Sequence, residues 1–192
     1  MSERTGSEYL LDALRAEGCS RLYGLVGEGN AHLVDATNDS PLEFTYARHE
    51  QVAVTMADGH ARTTGEVGVV TLTHGPGVTN GATGIACADR DNVPLVVIVG
   101  DTAIEGRETS LQYLEHVEFT RPVSVYGTRI EAPETLPGRV SRAFAKARAE
   151  SGPAVIEVPG DVQAATVEAG YEPADRSSQR IRPDPARVAR AA

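Results

Sequence analysis

A chain of 192 residues with 41% hydrophobic content is long enough to bury one good core, and its length predicts a single domain. A formal net charge of -9, a pI near 5.0 and the lack of any Lys/Arg cluster argue against nucleic acid and anionic membranes as partners. No run of 18 apolar residues occurs, the first eight residues lack a signal core, and Cys19 and Cys87 form no close-spaced pair. These features exclude a membrane span, a disulfide framework and a zinc site, and predict a soluble, cytoplasmic protein.

Short apolar runs alternate with amphipathic segments along the chain. Thr5 to Glu17 reads as a helix with an apolar stripe of Tyr9, Leu10, Ala13, Leu14 and Ala16, and Gly18 is its stop. Arg21 to Val26 is a strand ending in the turn Gly27 to Gly29, Ala31 to Thr37 a short helix, and Leu42 to Tyr46 a second strand. A helix from His49 to Thr63 closes at Gly65. Val67 to Thr73 and Leu95 to Val99 are nearly all apolar, as strands are when both sheet faces are covered. Between them, Gly77 to Ala88 reads as a Gly/Ala-rich helix in which Cys87 is expected to be buried and inert. Pro122 to Tyr126 and Ala154 to Val158 are further strands, flanking a strong helix from Pro133 to Glu150. The βα alternation predicts an α/β fold: a doubly wound, mainly parallel sheet of about six strands with helices on both faces. No internal repeat is present. Residues 1–170 make this domain, and 171–183 have linker composition, with Pro173, Ser177, Ser178 and Pro183. Pro185 to Ala192 begins a new helix, which at that length is marginal unless docked.

Ligands of an open α/β sheet bind at the carboxyl ends of its strands. Four loops emerge there: Gly24 to Asn30, Arg48 to Glu50, Thr73 to Asn80 and Gly100 to Gln112. Their glycine density implies close backbone approach to something flat or to another domain. In the segment Tyr46 to Arg62, Glu50 stands at the start of an otherwise apolar helix directly after a strand. A carboxylate placed there is partly desolvated, which makes its protonated form more accessible and suits it to trading a proton with a heterocycle. Taken alone, it reads more simply as a carboxylate favoured by the helix dipole, worth a few tenths of a kcal/mol, and only the neighbouring motifs turn the reading toward function.

The segment around Glu50, the loop Leu72 to Asn80 (LTHGPGVTN), the strand Asn92 to Gly100 and Leu111-Gln112 occur in an order that resembles one family. It is that of the thiamine-diphosphate enzymes that include acetohydroxyacid synthase, pyruvate oxidase and benzoylformate decarboxylase, and specifically their N-terminal pyrimidine-binding domain. The likeness runs from about Gly6 to Asp161. It implies that Val26, Gly27, Glu50, Pro76 and Asn80 contact the cofactor. Glu50 would hydrogen-bond the pyrimidine nitrogen N1′ and favour the imino tautomer, which removes the C2 proton of the thiazolium and gives the ylid that attacks a 2-oxo acid. The cofactor then supplies the carbanion chemistry and the protein the orientation and the proton switch. His74, in place of a serine of most synthases, and Gln112, in place of the glutamine of their FQE stretch, are assigned to the substrate side.

The resemblance also implies what lies elsewhere. No Asp–Asn pair stands at the spacing of a diphosphate and magnesium motif, so no metal ligand is assigned and Mg2+ is expected on a partner diphosphate-binding domain or subunit, in a homo- or hetero-oligomer. Similar wording to residues 183–192 opens the family's middle domain, which implies a truncated chain or a second chain that continues the work. FAD is compatible with the family but nothing in this sequence requires it.

Other motifs fail on spacing. Gly27 to Asn30 (GEGN) looks like half a dinucleotide fingerprint, but position 32 is His32. It is also similar to the GDGN of the diphosphate motif, but carries Glu28 and occupies the place of the synthases' YPGG turn. His49-Glu50 would need a second histidine at position 53 for a zinc site, and that residue is Ala53. Departures from the synthases lie on the substrate side: FQE reads Leu111-Gln112-Tyr113, GQ reads Gly100-Asp101, and YPGG reads Leu25 to Glu28. They leave cofactor binding intact and put acetohydroxyacid synthesis itself in question. An acetolactate synthase-like carboligase, a decarboxylase of another 2-oxo acid, and a non-catalytic relic acting by association are all compatible with the sequence.

Overall fold

The computed structural model describes residues 4–168, 170–174, 184, 187, 189 and 190. A two-residue strand β1 (Arg4–Thr5) leads into helix α1 (Gly6–Ala16). The Thr5 hydroxyl accepts from the Glu8 amide at 3.2 Å, and the Glu8 carboxylate accepts from the Thr5 amide at 2.8 Å, a reciprocal capping box. Thr5→Ala is expected to lower stability by about 1 kcal/mol, read as a shift of the urea midpoint at constant slope.

The chain then runs through β2 (Arg21–Gly24), α2 (Ala31–Ala36), β3 (Glu43–Tyr46), α3 (Glu50–Thr64), β4 (Gly68–Leu72), α4 (Pro76–Arg90) and β5 (Leu95–Asp101). It continues with α5 (His116–Thr120), β6 (Tyr126–Arg129), α6 (Leu136–Glu150), β7 (Pro153–Pro159), α7 (Gly160–Ala164) and β8 (Thr166–Val167). Strands β2 to β7 form one six-stranded sheet in the order β3-β2-β4-β5-β7-β6, parallel throughout, while β1 and β8 pair antiparallel beside it. From β2 the chain moves outward to β3 and then returns to the other side of β2 as β4. The direction of winding therefore reverses between β2 and β4.

Because successive side chains point to opposite faces, the apolar strands feed two separate cores. Leu22, Val69, Val96, Ile98, Ala154, Ile156 and Val158 meet Leu10, Leu14, Val140 and Phe144 of α1 and α6. Tyr23, Val70, Leu72, Val97, Val99 and Val155 meet Ala53, Val54, Ala57, Val78 and Ile85 of α3 and α4. The sheet is thus doubly wound, as the sequence pattern predicts. No helix among the described residues is long and apolar enough to cross a membrane.

Three sequence expectations change. The strand expected from Pro122 to Tyr126 begins only at Tyr126, because Arg121–Val123 is a 3-10 turn with Pro122, which has no N–H, in its first turn. Cys87 is exposed rather than buried, since α4 buries the stripe Val78, Gly81, Ile85 and Ala88 and turns Cys87 away from it. Ala16 is likewise exposed, its place in the α1 stripe being taken by Leu11. At the other end of the chain, residues 170–174 dock on the body of the domain: the Glu17 carboxylate accepts from the Tyr171 hydroxyl at 2.6 Å and the Ala174 amide at 2.7 Å. The expected helix of residues 185–192 lies outside the described residues except for Arg187, Ala189 and Arg190.

Candidate active site

Helix α3 begins at Glu50, straight from the short loop after β3. His49 caps it, its Nδ1 accepting from the Gln51 amide at 3.2 Å. That start point fixes Glu50 at the first helical position, where it is 8% exposed. Gly65, in the left-handed conformation with φ 77°, closes the far end of the helix. Asn80 lies one turn into α4, and its Nδ2 donates to Glu50 Oε2 at 3.1 Å. Among the described residues Glu50 Oε1 has no hydrogen bond, and it faces Gly77 closely enough that a Cβ built there would stand 3.7 Å away. A buried carboxylate with one oxygen tethered and the other unused can exchange a proton with a ligand.

The loops after β2, β4 and β5 are fastened to one another at this same end of the sheet, where the winding reverses. The Gly29 amide donates to Thr73 Oγ1 at 3.0 Å, and the Gly27 amide to Asn30 Oδ1 at 2.8 Å. Asn30, fully buried, donates in turn to the Leu25 carbonyl and to Thr71 Oγ1, both at 3.1 Å. Gly29 and Gly100 press backbone against backbone, so that a Cβ on either would collide with the carbonyl of the other. Gly75 has φ 56° and ψ -111°, a backbone region open to glycine alone in practice, and its α-carbon abuts the Gln112 carbonyl.

The structure separates the sequence-assigned residues into two groups. Glu50 and Asn80 are bonded directly, with Gly77 beside them and Pro76 exposed at the first turn of α4. His74 and Gln112 instead line a cavity of about 320 Å³ with Glu28, Thr102, Thr109 and Ser110. His74 is 1% exposed and its Nδ1 is unpartnered among the described residues. Leu111, next to Gln112, is fully exposed. Val26 is half-exposed and borders a different hollow with Tyr46, Ala31 and His32, so it does not share the His74 cavity.

A buried polar cluster behind the β4 loop escaped the sequence reading. Asp101, His116 and Glu157, all buried, bring carboxylate and imidazole atoms within 4.8 Å of one another. The guanidinium of Arg107 already supplies the countercharge there, with Nε 2.8 Å from Asp101 Oδ2 and 3.3 Å from Glu157 Oε1, and Arg129 adds a second cation at 3.1 Å. Burial pushes the Asp101 carboxyl up, but its contacts with Glu157 and Arg107 outweigh that and hold it below the usual carboxylate range. Arg107 and the Tyr113 hydroxyl likewise hold Glu115 low. The sequence did carry one signal: Glu157 interrupts an otherwise apolar central strand, and a buried charge of that kind requires a partner.

Residues 4–120 match a family model described as thiamine pyrophosphate enzyme, N-terminal TPP binding domain. The chain is 37% identical over 166 residues to the acetolactate synthase isozyme 3 large subunit of Escherichia coli K12, covering 84% of this chain and 29% of that protein. It is 37% identical over 161 residues to the probable acetolactate synthase large subunit of Methanocaldococcus jannaschii, with 82% of this chain and 27% of the relative covered. The large subunit of Lactococcus lactis acetolactate synthase is also 37% identical over 161 residues, with 82% and 28% covered. The chain thus spans less than a third of the length of these relatives.

Proposed function

The chain belongs to the thiamine pyrophosphate enzymes, as their N-terminal TPP-binding domain, and on that premise we propose that it forms the pyrimidine-binding half of an acetolactate synthase-like active site. The observation that carries this reading is the Glu50 carboxylate, buried and tethered by Asn80 through one oxygen, with the other oxygen unused. The donor set fits an aminopyrimidine. Oε1 can hold a proton shared with a ring nitrogen, and Gly77 beside it presents no side chain to an approaching ring. Gly27 and Gly77 both lie against Thr73 and Pro76 precedes Gly77, which supports a cofactor role for Gly27 and Pro76, while Val26 keeps its proposed contact only if the cofactor reaches the separate hollow it lines.

When bound, the cofactor supplies the electron sink for making or breaking a bond at the carbonyl carbon of a 2-oxo acid. This chain's residues orient and exchange. Asn80 fixes the rotamer of Glu50, and Glu50 holds or moves the proton at N1′. The chain's formal charge of -9 and the lack of an Asp–Asn pair at the diphosphate-motif spacing support a reading in which another domain holds the diphosphate and its Mg2+, so that the active unit is at least two domains meeting over the carboxyl end of the sheet. A non-catalytic relic would have no physical need for a buried carboxylate whose unbonded oxygen faces Gly77.

His74 and Gln112 are the proposed substrate-side residues, since both line the 320 Å³ cavity formed with the loop after β5. Carboligation and decarboxylation share the Glu50 step and differ in what this cavity admits. Alanine at either position is expected to change the preference between 2-oxo acids on the order of tenfold, while affinity for thiamine diphosphate moves little. The test is a panel of 2-oxo acids offered to the enzyme assembled with its diphosphate-binding domain. A large loss of cofactor affinity with an unaltered preference would place both residues on the wrong side. Consumption of no 2-oxo acid by the wild-type assembly would contradict the proposed function.

A further inference from the structure

His116 is fully buried, and both of its ring nitrogens are engaged. Nε2 accepts the backbone N–H of Gly75 at 2.8 Å. A nitrogen that accepts carries no hydrogen, so the ring proton sits on Nδ1, which lies 3.1 Å from Glu157 Oε2 and 4.0 Å from Asp101 Oδ2. Glu157 therefore fixes the tautomer, and the tautomer makes Nε2 an acceptor. What Nε2 holds is the most constrained point of the β4 loop. Gly75 has a backbone conformation that only glycine adopts readily, its α-carbon abuts the Gln112 carbonyl, and its two chain neighbours are His74 and Pro76. Two residues after Gly75 comes Gly77 beside Glu50, and five residues after it comes Asn80, which tethers Glu50.

From this arrangement we infer that His116 is a positioning residue: oriented by Glu157, it clamps the Gly75 amide and so sets the start of α4, and with it Asn80 against Glu50. This inference rests on the function proposed above for its purpose, though the clamp itself is a property of this domain alone. Arg107 completes the arrangement. It spans Asp101, Glu115 and the Leu114 carbonyl, at 2.8, 3.0 and 3.1 Å, and so ties down the segment that ends at His116.

Two substitutions separate a clamp on Gly75 from a mere filler of the acidic cluster. Gln at 116 reaches as far as Nε2 and can present an amide oxygen to the Gly75 N–H, but it gives up the Nδ1 donor. Asn reaches only as far as Nδ1, so it can donate to Glu157 and loses Gly75. Amide exchange of Gly75, read by NMR on the domain without cofactor, is expected to speed up roughly tenfold in His116→Asn relative to His116→Gln, the effect of one lost hydrogen bond. In the assembly with a diphosphate-binding domain, thiamine diphosphate and Mg2+, exchange of the cofactor's C2 proton should fall in the same order, Asn below Gln. Equal Gly75 rates in the two variants, or Asn sparing C2 exchange while Gln loses it, would overturn the inference. So would faster Gly75 exchange with no change at C2. A measurement on the unaltered protein stands beside these in case a variant fails to fold: ring nitrogen shifts must report the Nδ1–H tautomer at His116, and the other tautomer rejects the clamp outright. Absence of C2 exchange in the wild-type assembly would overturn the proposed function, whereas the Gly75 rates, read without cofactor, decide the clamp on their own.

Discussion

Replacing Glu50 by Gln is expected to slow turnover of the assembled enzyme by about 10²–10⁴-fold, the usual worth of general acid–base assistance. The substitution keeps the shape of the side chain, and its amide oxygen can still accept from Asn80 Nδ2, so the geometry at the head of α3 survives. What is lost is the ability to take up and release a proton at Oε1. Loss of the charge at the first turn costs only a few tenths of a kcal/mol of helix-dipole stabilisation, so the melting temperature should scarcely move. Asn80→Ala removes the tether but leaves the carboxylate, and it should cost less than Glu50→Gln. Steady-state rates at saturating cofactor, with circular dichroism to confirm folding, check both. Full turnover in Glu50→Gln would remove the role assigned to the carboxylate.

Residues 1–192 alone are expected to bind thiamine diphosphate at about millimolar affinity or more weakly, near 4 kcal/mol. The pyrimidine end offers one shared proton, a tethered carboxylate and a narrow contact surface, while ordering a flexible ligand has its own entropic cost. The charged end finds little. Arg107 and Arg129, in the cluster behind these loops, are committed to Asp101 or Glu157, which leaves the exposed Arg48 as a single cation beside Glu50, without the metal ligands a diphosphate needs. Adding a diphosphate-binding domain supplies Mg2+ ligands and encloses the ring, and affinity should rise by orders of magnitude and become magnesium-dependent. Titration calorimetry decides it: micromolar, magnesium-dependent binding to the domain alone would refute the half-site reading.

The parts of this molecule that follow local rules were legible in its sequence. The close of α3 at Gly65, with φ 77°, is set by a residue at the helix end itself. The apolar runs of β4 and β5 declare a sheet covered on both faces, because no solvent-facing alternation interrupts them. Glu50 stood out for the same reason, as a lone charge at the head of an apolar helix, and the structure brings it to Asn80 across thirty residues of sequence. Cys87 lies outside because α4 carries small residues on every side, so which of them face inward is set by packing against Val54 and Leu72 rather than by composition. The Pro122 strand was misplaced because apolar content alone does not reveal a turn around a proline. The His116 cluster stayed hidden for a topological reason. Gly75, His116 and Glu157 are each forty-one residues from the next, and only the parallel pairing of β5 with β7 and the position of α5 bring them together. A sequence can flag Glu157 as a buried charge in need of a partner, but naming that partner requires the strand order.

Everything proposed for this domain turns on Glu50 exchanging a proton with the pyrimidine of bound thiamine diphosphate. The measurement that addresses it most directly is the rate at which the C2 proton of the cofactor exchanges with deuterium oxide, followed by NMR in the assembly of this domain with a diphosphate-binding domain. Wild type and Glu50→Gln are compared at equal cofactor occupancy, so that binding and folding differences drop out. Fast exchange is expected in wild type, with a loss of about 10²–10⁴-fold in Glu50→Gln. Equal exchange rates in the two proteins would contradict it.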